Sequence, residues 1–440
     1  MNDQGITSVD APQKQPHTAT DPHASGHRRA IVAGSVGNMV EWFDWSLYAV
    51  LAPVFSTQIF GGGDATSGLL LTFSVFAVGF FMRPLGGAVL GLYADRHGRK
   101  AGITLTIAIM SVSSVVMALT PTFAAVGLLA PIMLVLARLA QGFAAGGEFA
   151  SSSAFMVESG SSRRRTLAGS WQQVSVIAGI VLATATGALL TTLLPTDAMQ
   201  GWGWRLAFGI GAVLGLVGVW LRLSVGETQE FLESQDIAKK TRIGAQIREA
   251  WSHWRGILIV VGFNIPGCLA FYLFVSYMPS YSVKTAGIPL STALWANAIA
   301  LVFAMCLIPV FGILADRVGR SKLVAAFGTA LLILPWPAFQ LAGSSSFAAI
   351  LIADILGLTV VALYSSILAA VLSDAFPAHV RTTAIGTSYS LIVAIFGGTV
   401  PLVATWAQSQ GLGGLLWLYP AISSLAALAV IPLVRRQRQF

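Results

Sequence analysis

Charged residues and cysteines are scarce in this chain. Asp, Glu, Lys and Arg together make up only 10% of its 440 residues, against roughly a quarter in a soluble domain. So few charges cannot cover a water-exposed surface, which excludes a soluble enzyme, a nucleic-acid binder and a disordered scaffold. The two cysteines, Cys268 and Cys306, both fall inside apolar runs, so no disulfide framework or metal cluster can be built from them. His27, His97, His253 and His379 stand in tails or connectors without ligand spacing, and no nucleophile–base arrangement is present. Neither a metal nor a cofactor is expected, and the chain is not expected to be an enzyme.

What the sequence has in abundance is apolar length. Hydrophobic residues make up 55% of the chain, and the mean hydropathy is +0.75. About twelve stretches, near 30–53, 67–93, 101–120, 127–157, 165–194, 203–222, 256–280, 291–314, 322–342, 346–375, 380–408 and 412–434, are long enough to cross a bilayer as helices. The expected fold is an all-α membrane protein. The first residues, 1–27, lack the apolar core of a signal peptide and read as a disordered tail. Residues 223–254 are polar and divide the stretches six and six, giving a bundle over 28–222, a connector, and a second bundle over 255–440.

The net charge of +8 is placed by topology. The even-numbered connectors hold Arg96, Arg99 and Lys100; Arg163, Arg164 and Arg165; Lys239, Lys240 and Arg242; Arg317, Arg320 and Lys322; and Arg381. Arg435, Arg436 and Arg438 follow the last stretch, whereas the odd-numbered connectors hold only Arg205 and Lys284. Basic residues stay on the cytoplasmic side, so both termini are expected there, in an inner membrane.

An internal repeat supports two related halves. GLYADRHGRK at 91–100 returns as GILADRVGRS at 312–321, each after the second apolar stretch of its half. The glycines permit a tight reversal and close helix approach, and the aspartate can accept from the amides of the next helix's N-terminus. Asp95, Arg96, Arg99, Asp316, Arg317 and Arg320 are therefore candidate gating residues, a latch between halves that breaks as they rock. The simpler alternative is that they only fix topology.

Ionisable groups at bilayer depth each cost several kcal/mol if they face lipid, and so must face a partner or a wet cavity. Glu41, Asp44, Arg83, Arg138 and Glu148 are such groups. Asn38, Glu41, Trp45 and Tyr48 share one helical face, as do Arg138, Gln141, Ala145 and Glu148, which suggests a shared polar seam. Arg83 and Arg138 can hold a carboxylate in a forked pair, and permanent pairing with Glu41, Asp44 or Glu148 is the structural alternative. Glu41, Asp44 and Glu148 are candidates for proton coupling. Tyr48, Gln141, Gln172, Asn264 and Tyr272 are candidate substrate contacts, although most such groups serve as interhelical hydrogen bonds. Asp354 is a lone carboxylate whose paired structural role is favoured over transport. The glycine-rich stretch Gly142 to Gly147 reads as close helix packing.

The two ADR connectors resemble the cytoplasmic signature of the major facilitator superfamily. GNMVEWFDWSLY at 37–48, FMRPLGG at 81–87, ARLAQGFAAGGE at 137–148, GWGWRLAF at 201–208 and FPAHVRTTAIG at 376–386 are similar to its metabolite:proton symporter branch. That resemblance implies twelve helices in two pseudo-symmetric six-helix bundles, alternating access, and a proton gradient as driving force. The segments 262–281 and 396–398 point within that branch to carriers of a di- or tricarboxylate such as alpha-ketoglutarate. Relatives with similar signatures carry monocarboxylates, aromatic acids or zwitterions such as proline and betaine. The expected partners are a small organic anion, protons and the lipid bilayer, with no nucleic acid, and the expected state is a monomer. A channel or a membrane sensor is the alternative from a different class.

Overall fold

In hydrocarbon a backbone must satisfy its own amides and carbonyls, and runs of this length do so by coiling into helices. The computed structural model describes residues 22–61, 64–97, 99–146, 157, 164–223, 249, 252–377 and 380–436, except for the side chains at 22–35, 91, 92, 94–96, 99, 100, 103 and 221–223. The N-terminal half comprises α1 (Pro22–Phe60), α2 (Ala65–Leu90), α3 (Arg99–Leu119), α4 (Leu129–Ala144), α5 (Arg165–Leu193) and α6 (Thr196–Trp220). The C-terminal half comprises α7 (Trp254–Ala286), α8 (Leu290–Val318), α9 (Arg320–Ile333 with Pro335–Ala342), α10 (Phe347–Asp374), α11 (Arg381–Ser409) and α12 (Gly413–Arg436). Each half is a six-helix bundle, and the halves meet where α5 packs on α8 and α10 and where α2 packs on α11. Large apolar side chains such as Leu119, Leu128, Trp220 and Ile422 point outward, as a lipid-facing surface requires.

Four helices depart from the uninterrupted runs read from sequence. Helix α1 begins at Pro22, inside the stretch expected to be a tail, because extending a helix already nucleated costs little. Helix α2 breaks at Met82, which caps one helical piece ending at Phe81 before a second begins at Arg83. Helix α9 bends by 42° between Ile333 and Pro335, where proline supplies no amide to the preceding turn. In α7 the residues Tyr272–Tyr277 form a π-helical turn six residues after Pro266. Most of the expected connector at 223–254 lies outside the described residues, as do residues 1–21.

Connector chemistry sets the helix ends. Asp64 accepts from the Ser67 amide (2.7 Å) and caps α2. That backbone hydrogen bond holds its carboxyl below the usual carboxylate range. Gly319 adopts φ 102° between α8 and α9, a conformation open to glycine and strained for other residues. Arg205, which departs from the charge asymmetry, caps a helix end: its Nε and Nη2 donate to the Thr120 carbonyl beyond α3 (3.2 and 2.9 Å). Lys284 donates to Thr66 Oγ1 across the halves (3.3 Å).

Glycines bring α2 and α4 into backbone contact. A Cβ on Gly142 would strike the Gly79 carbonyl, one on Gly86 the Phe143 carbonyl, and one on Gly146 the Arg83 carbonyl. Gly142→Ala is expected to cost about 1–3 kcal/mol by overpacking, read as a lowered melting temperature in detergent. Gly201→Ala, where the added Cβ meets nothing within 4 Å, is the control and should melt as the parent does. Equal melting of the two variants would refute the tight seam.

Candidate functional site

The intramembrane charges meet near the centre of the N-terminal half. Asp44 of α1 accepts from Ser114 Oγ of α3 at Oδ2 (2.8 Å). Ser114 Oγ in turn accepts from Gln141 Nε2 (3.2 Å), and Gln141 Oε1 accepts from Arg138 Nη1 (2.8 Å). The acid and the guanidinium are thus joined by a relay through two neutral side chains. Asp44, Arg138, Gln141 and Ser114 are all buried, with Arg138 fully so. Three polar atoms in this cluster lack a protein partner: Asp44 Oδ1, which packs against Gly211, and Arg138 Nε and Nη2.

Aromatic rings hold the guanidinium groups in place. The Arg138 Cζ lies 3.7 Å from the Tyr48 ring centre and 5.1 Å from that of Trp45. Arg83 Cζ lies 4.5 Å from the same Trp45 ring, 4.4 Å from Phe80 and 5.9 Å from Trp42. Such contacts stabilise a desolvated cation through the ring quadrupole without neutralising its charge. Arg83 Nε also lacks a partner. The C-terminal half approaches Arg83 through Tyr272, whose hydroxyl is within reach of the guanidinium and whose ring packs at 5.2 Å on Phe80. Trp42 and Phe271 add a further contact across the halves (5.6 Å). The two halves are therefore closed on each other at this level.

The other candidate contacts serve the helices around this centre. Tyr48 donates to the Thr72 carbonyl of α2 (2.9 Å), so its hydroxyl is a tie and its ring a platform for Arg138. Asn264 accepts from Tyr364 (2.8 Å) and joins α7 to α10. The backbone carbonyl of Gln172 accepts from Asn38 Nδ2 (3.4 Å), which also donates to Ser175 Oγ (2.7 Å). Glu41 and Asp44 line a void of about 10 Å³ between α1, α3 and α6, about the room one water needs. Glu148 lies outside the described residues.

At the connector end, the second ADR copy clamps the two halves together. Asp316 accepts from the Thr166 and Leu167 amides (both 3.0 Å) at the first turn of α5. Its helix partner is therefore α5 of the opposite half, and not α9, the next helix in its own half. Packing explains the exchange: Gly312 lets α8 approach α5 at Leu167 and Ser170. Arg320 Nε donates to Thr166 Oγ1 (3.0 Å) and its guanidinium pairs with Asp374 at the end of α10. Arg165 of α5 approaches the same carboxylate (4.0 Å). Arg317 is exposed and lines a cavity of about 1010 Å³ beside this clamp. The side chains of Asp95, Arg96 and Arg99 lie outside the described residues. Their helical segment, Arg83–His97, packs against the first part of α11, mirroring α8 on α5.

Ser114, Phe80, Thr166 and Asp374 were not marked by the sequence reading. Only Asp374 left a usable trace there, a solitary acid at the end of an apolar run.

A profile of the Major Facilitator Superfamily matches residues 34–392. The chain is 36% identical to the alpha-ketoglutarate permease of Escherichia coli (strain K12) over 93% of its own length and 94% of that protein's. It is 34% identical to the glycine betaine/proline/ectoine/pipecolic acid transporter OusA of Dickeya dadantii, covering 92% of this chain and 82% of that one. Among solved structures, the D-xylose-proton symporter aligns with TM-score 0.71 at 17% identity, over 92% of this chain and 97% of that one. The xylose transporter XylE of E. coli, partially occluded and inward open, aligns with TM-score 0.72 at 18% identity over the same shares. At those identities the structures speak for the fold, and the profile and relatives for the family. Twelve helices in two bundles, a charged centre and a clamp between the halves thus belong to a chain of the Major Facilitator Superfamily, a multi-pass membrane transporter of small solutes.

Proposed function

We propose that this transporter is a proton symporter that imports a small dicarboxylate of the alpha-ketoglutarate kind by alternating access. The observation that carries the reading is the pair of buried guanidinium groups, Arg83 and Arg138, flanking Trp45 with donor atoms that no protein group accepts. Two cations held by rings and left with open donors suit a ligand with two carboxylates, each able to take a forked hydrogen bond. The likeness to the alpha-ketoglutarate permease supports the same substrate class. Gln141 positions Arg138, Tyr272 closes on Arg83, and Tyr48, Gln172 and Asn264 hold the surrounding helices. The protein works without a cofactor, as a monomer in the inner membrane with both termini cytoplasmic, the basic connectors facing inward.

Coupling follows from the relay. A substrate carboxylate that draws Arg138 away from Gln141 weakens the link to Asp44, and a carboxylate that loses a neighbouring cation takes up a proton more readily. Glu41 shares the water-sized void and offers a route for that proton; Glu148 is a third candidate on α4.

A second reading is a zwitterion such as betaine or proline. It is favoured by the rings of Trp42, Trp45 and Phe80 around Arg83, which suit a quaternary ammonium, and by the likeness to OusA. Uptake into proteoliposomes under an imposed pH gradient, screened over dicarboxylates, proline and betaine, separates the two. Accumulation of alpha-ketoglutarate is the expected result, and accumulation of betaine alone would overturn the dicarboxylate. In the same vesicles Asp44→Asn should retain solute exchange while losing pH-driven accumulation about tenfold, one decade for each 1.4 kcal/mol of lost coupling. Equal losses in both would make Asp44 structural.

A further inference from the structure

Asp354 belongs to neither the central relay nor the clamp. It lies two turns inside α10, is 1% exposed, and its Oδ1 has no hydrogen-bond partner. The side chain acting on it is the Asn297 amide of α8, and no charged group among the described residues does so. Asn297 is itself fully buried, and its Oδ1 is also without a partner, while its Nδ2 donates to the Phe274 carbonyl (3.3 Å). Phe274 sits in the π-helical turn Tyr272–Tyr277 of α7. Two buried acceptor atoms in one cluster lack a donor, and a carboxyl in its acid form carries the one that is missing.

The titratable groups on the elements packed against α10 stand elsewhere. Arg165, Arg255, Asp316, Arg317, Arg320, Lys322 and Arg381 stand at the connector end with Asp374, about 30 Å along α10 from Asp354, and Cys306 of α8 is exposed. Cys268, Tyr272 and Tyr389 surround Arg83, and Tyr364 bonds Asn264. Tyr277 donates to Gln408, and Tyr281 stacks on Phe339. Lys284 donates to Thr66. None of them offers Asp354 a counter-charge.

We propose that Asp354 is a second proton-carrying carboxyl, in the C-terminal half, that holds its proton in this closed state because it is buried beside Asn297 with no cation among the described residues to offset a negative charge. The proton enters from water, bonds to a carboxyl oxygen and leaves to water, with no other bond made or broken. Its link to the solute is the π-helical turn: Asn297 holds that turn at Phe274, and the turn begins at Tyr272, which faces Arg83 in the other half. A solute that takes Arg83 from Tyr272 moves the turn, and the turn moves Asn297, the side chain that acts on the carboxyl. This inference rests on the symport reading for its transport role and adds a site to it.

Infrared difference spectra of the purified protein at neutral pH, without solute or gradient, test the proton directly. The parent minus Asp354→Asn spectrum should show a protonated-carboxyl stretch that shifts in deuterated water; a spectrum without that band overturns the proposal. Asp354→Asn is isosteric, and an unchanged melting temperature checks its fold. In proteoliposomes the variant should retain solute counterflow while the proton-to-solute ratio, read from the reversal potential, falls by one proton per cycle. An unchanged ratio refutes the carrying role. Because the band needs neither solute nor gradient, a parent protein that ignores the pH gradient counts against symport, whereas a missing band counts against Asp354.

Discussion

Replacing Arg138 with alanine should lower the initial rate of solute uptake about a hundredfold while the protein still reaches the membrane. A forked, charge-assisted pair is lost, in which hydrogen bonds to charged groups contribute about 1.5–3 kcal/mol each, and every 1.4 kcal/mol is a factor of ten. Arg138 is fully buried and holds one hydrogen bond to Gln141, with Nε and Nη2 open. Its removal therefore takes away open donors as well as the last link of the Asp44 relay. Arg138→Lys should recover little, since an ammonium cannot reproduce the planar fork. Radiolabelled uptake, normalised to protein in the membrane, is the measurement. Uptake at the parent level in Arg138→Ala would remove the residue from the site.

Releasing the clamp should change the resting conformation by a comparable factor. In Asp316→Ala, two amides at the start of α5 lose their acceptor, and hydrogen bonds to a carboxylate of about 1.5–3 kcal/mol each amount to at least a hundredfold shift toward the state open at the connector end. Ser170 offers the readout, because it is buried in the α5–α8 seam beside Gly312. With Cys268 and Cys306 replaced by serine, a cysteine substituted at Ser170 should react with a polar maleimide about a hundred times faster when Asp316 is alanine. Unchanged alkylation would mean that Asp316 does not hold the halves together.

The repeated ADR connectors show how far the sequence carries. Their glycine spacing announces both a tight reversal at Gly319 and a close approach at Gly312, and the structure has both. The choice of α5 over α9 as the helix capped by Asp316 was not legible, because that choice belongs to packing between halves and leaves no local pattern. Glycines from Gly142 to Gly146 likewise announce close helix contact, and backbone collisions against α2 bear it out.

At the site, the charges themselves were legible because ionisable residues in apolar runs are conspicuous. Their connections were not. Ser114 is one of several serines on α3, and nothing in its neighbours marks it as the bridge between Asp44 and Gln141. The sequence placed Trp45 on the face of α1 that carries Glu41 and Tyr48, and only three-dimensional placement shows that it lies beside both Arg83 and Arg138. The break at Met82 also escaped a hydropathy reading, since an apolar residue hides a cap as well as it fills a turn.

The glycine seam has one more consequence. Arg83 begins the second piece of α2 and Arg138 belongs to α4, and these two helices touch backbone to backbone with no side chain between them to compress. The two helices should travel as a single plate through the cycle, so the spacing between the backbones that bear the two guanidinium groups acts as a fixed caliper. A carrier gripping its cargo this way would sort diacids by the length of the carbon chain between their ends, whichever side of the membrane they enter from.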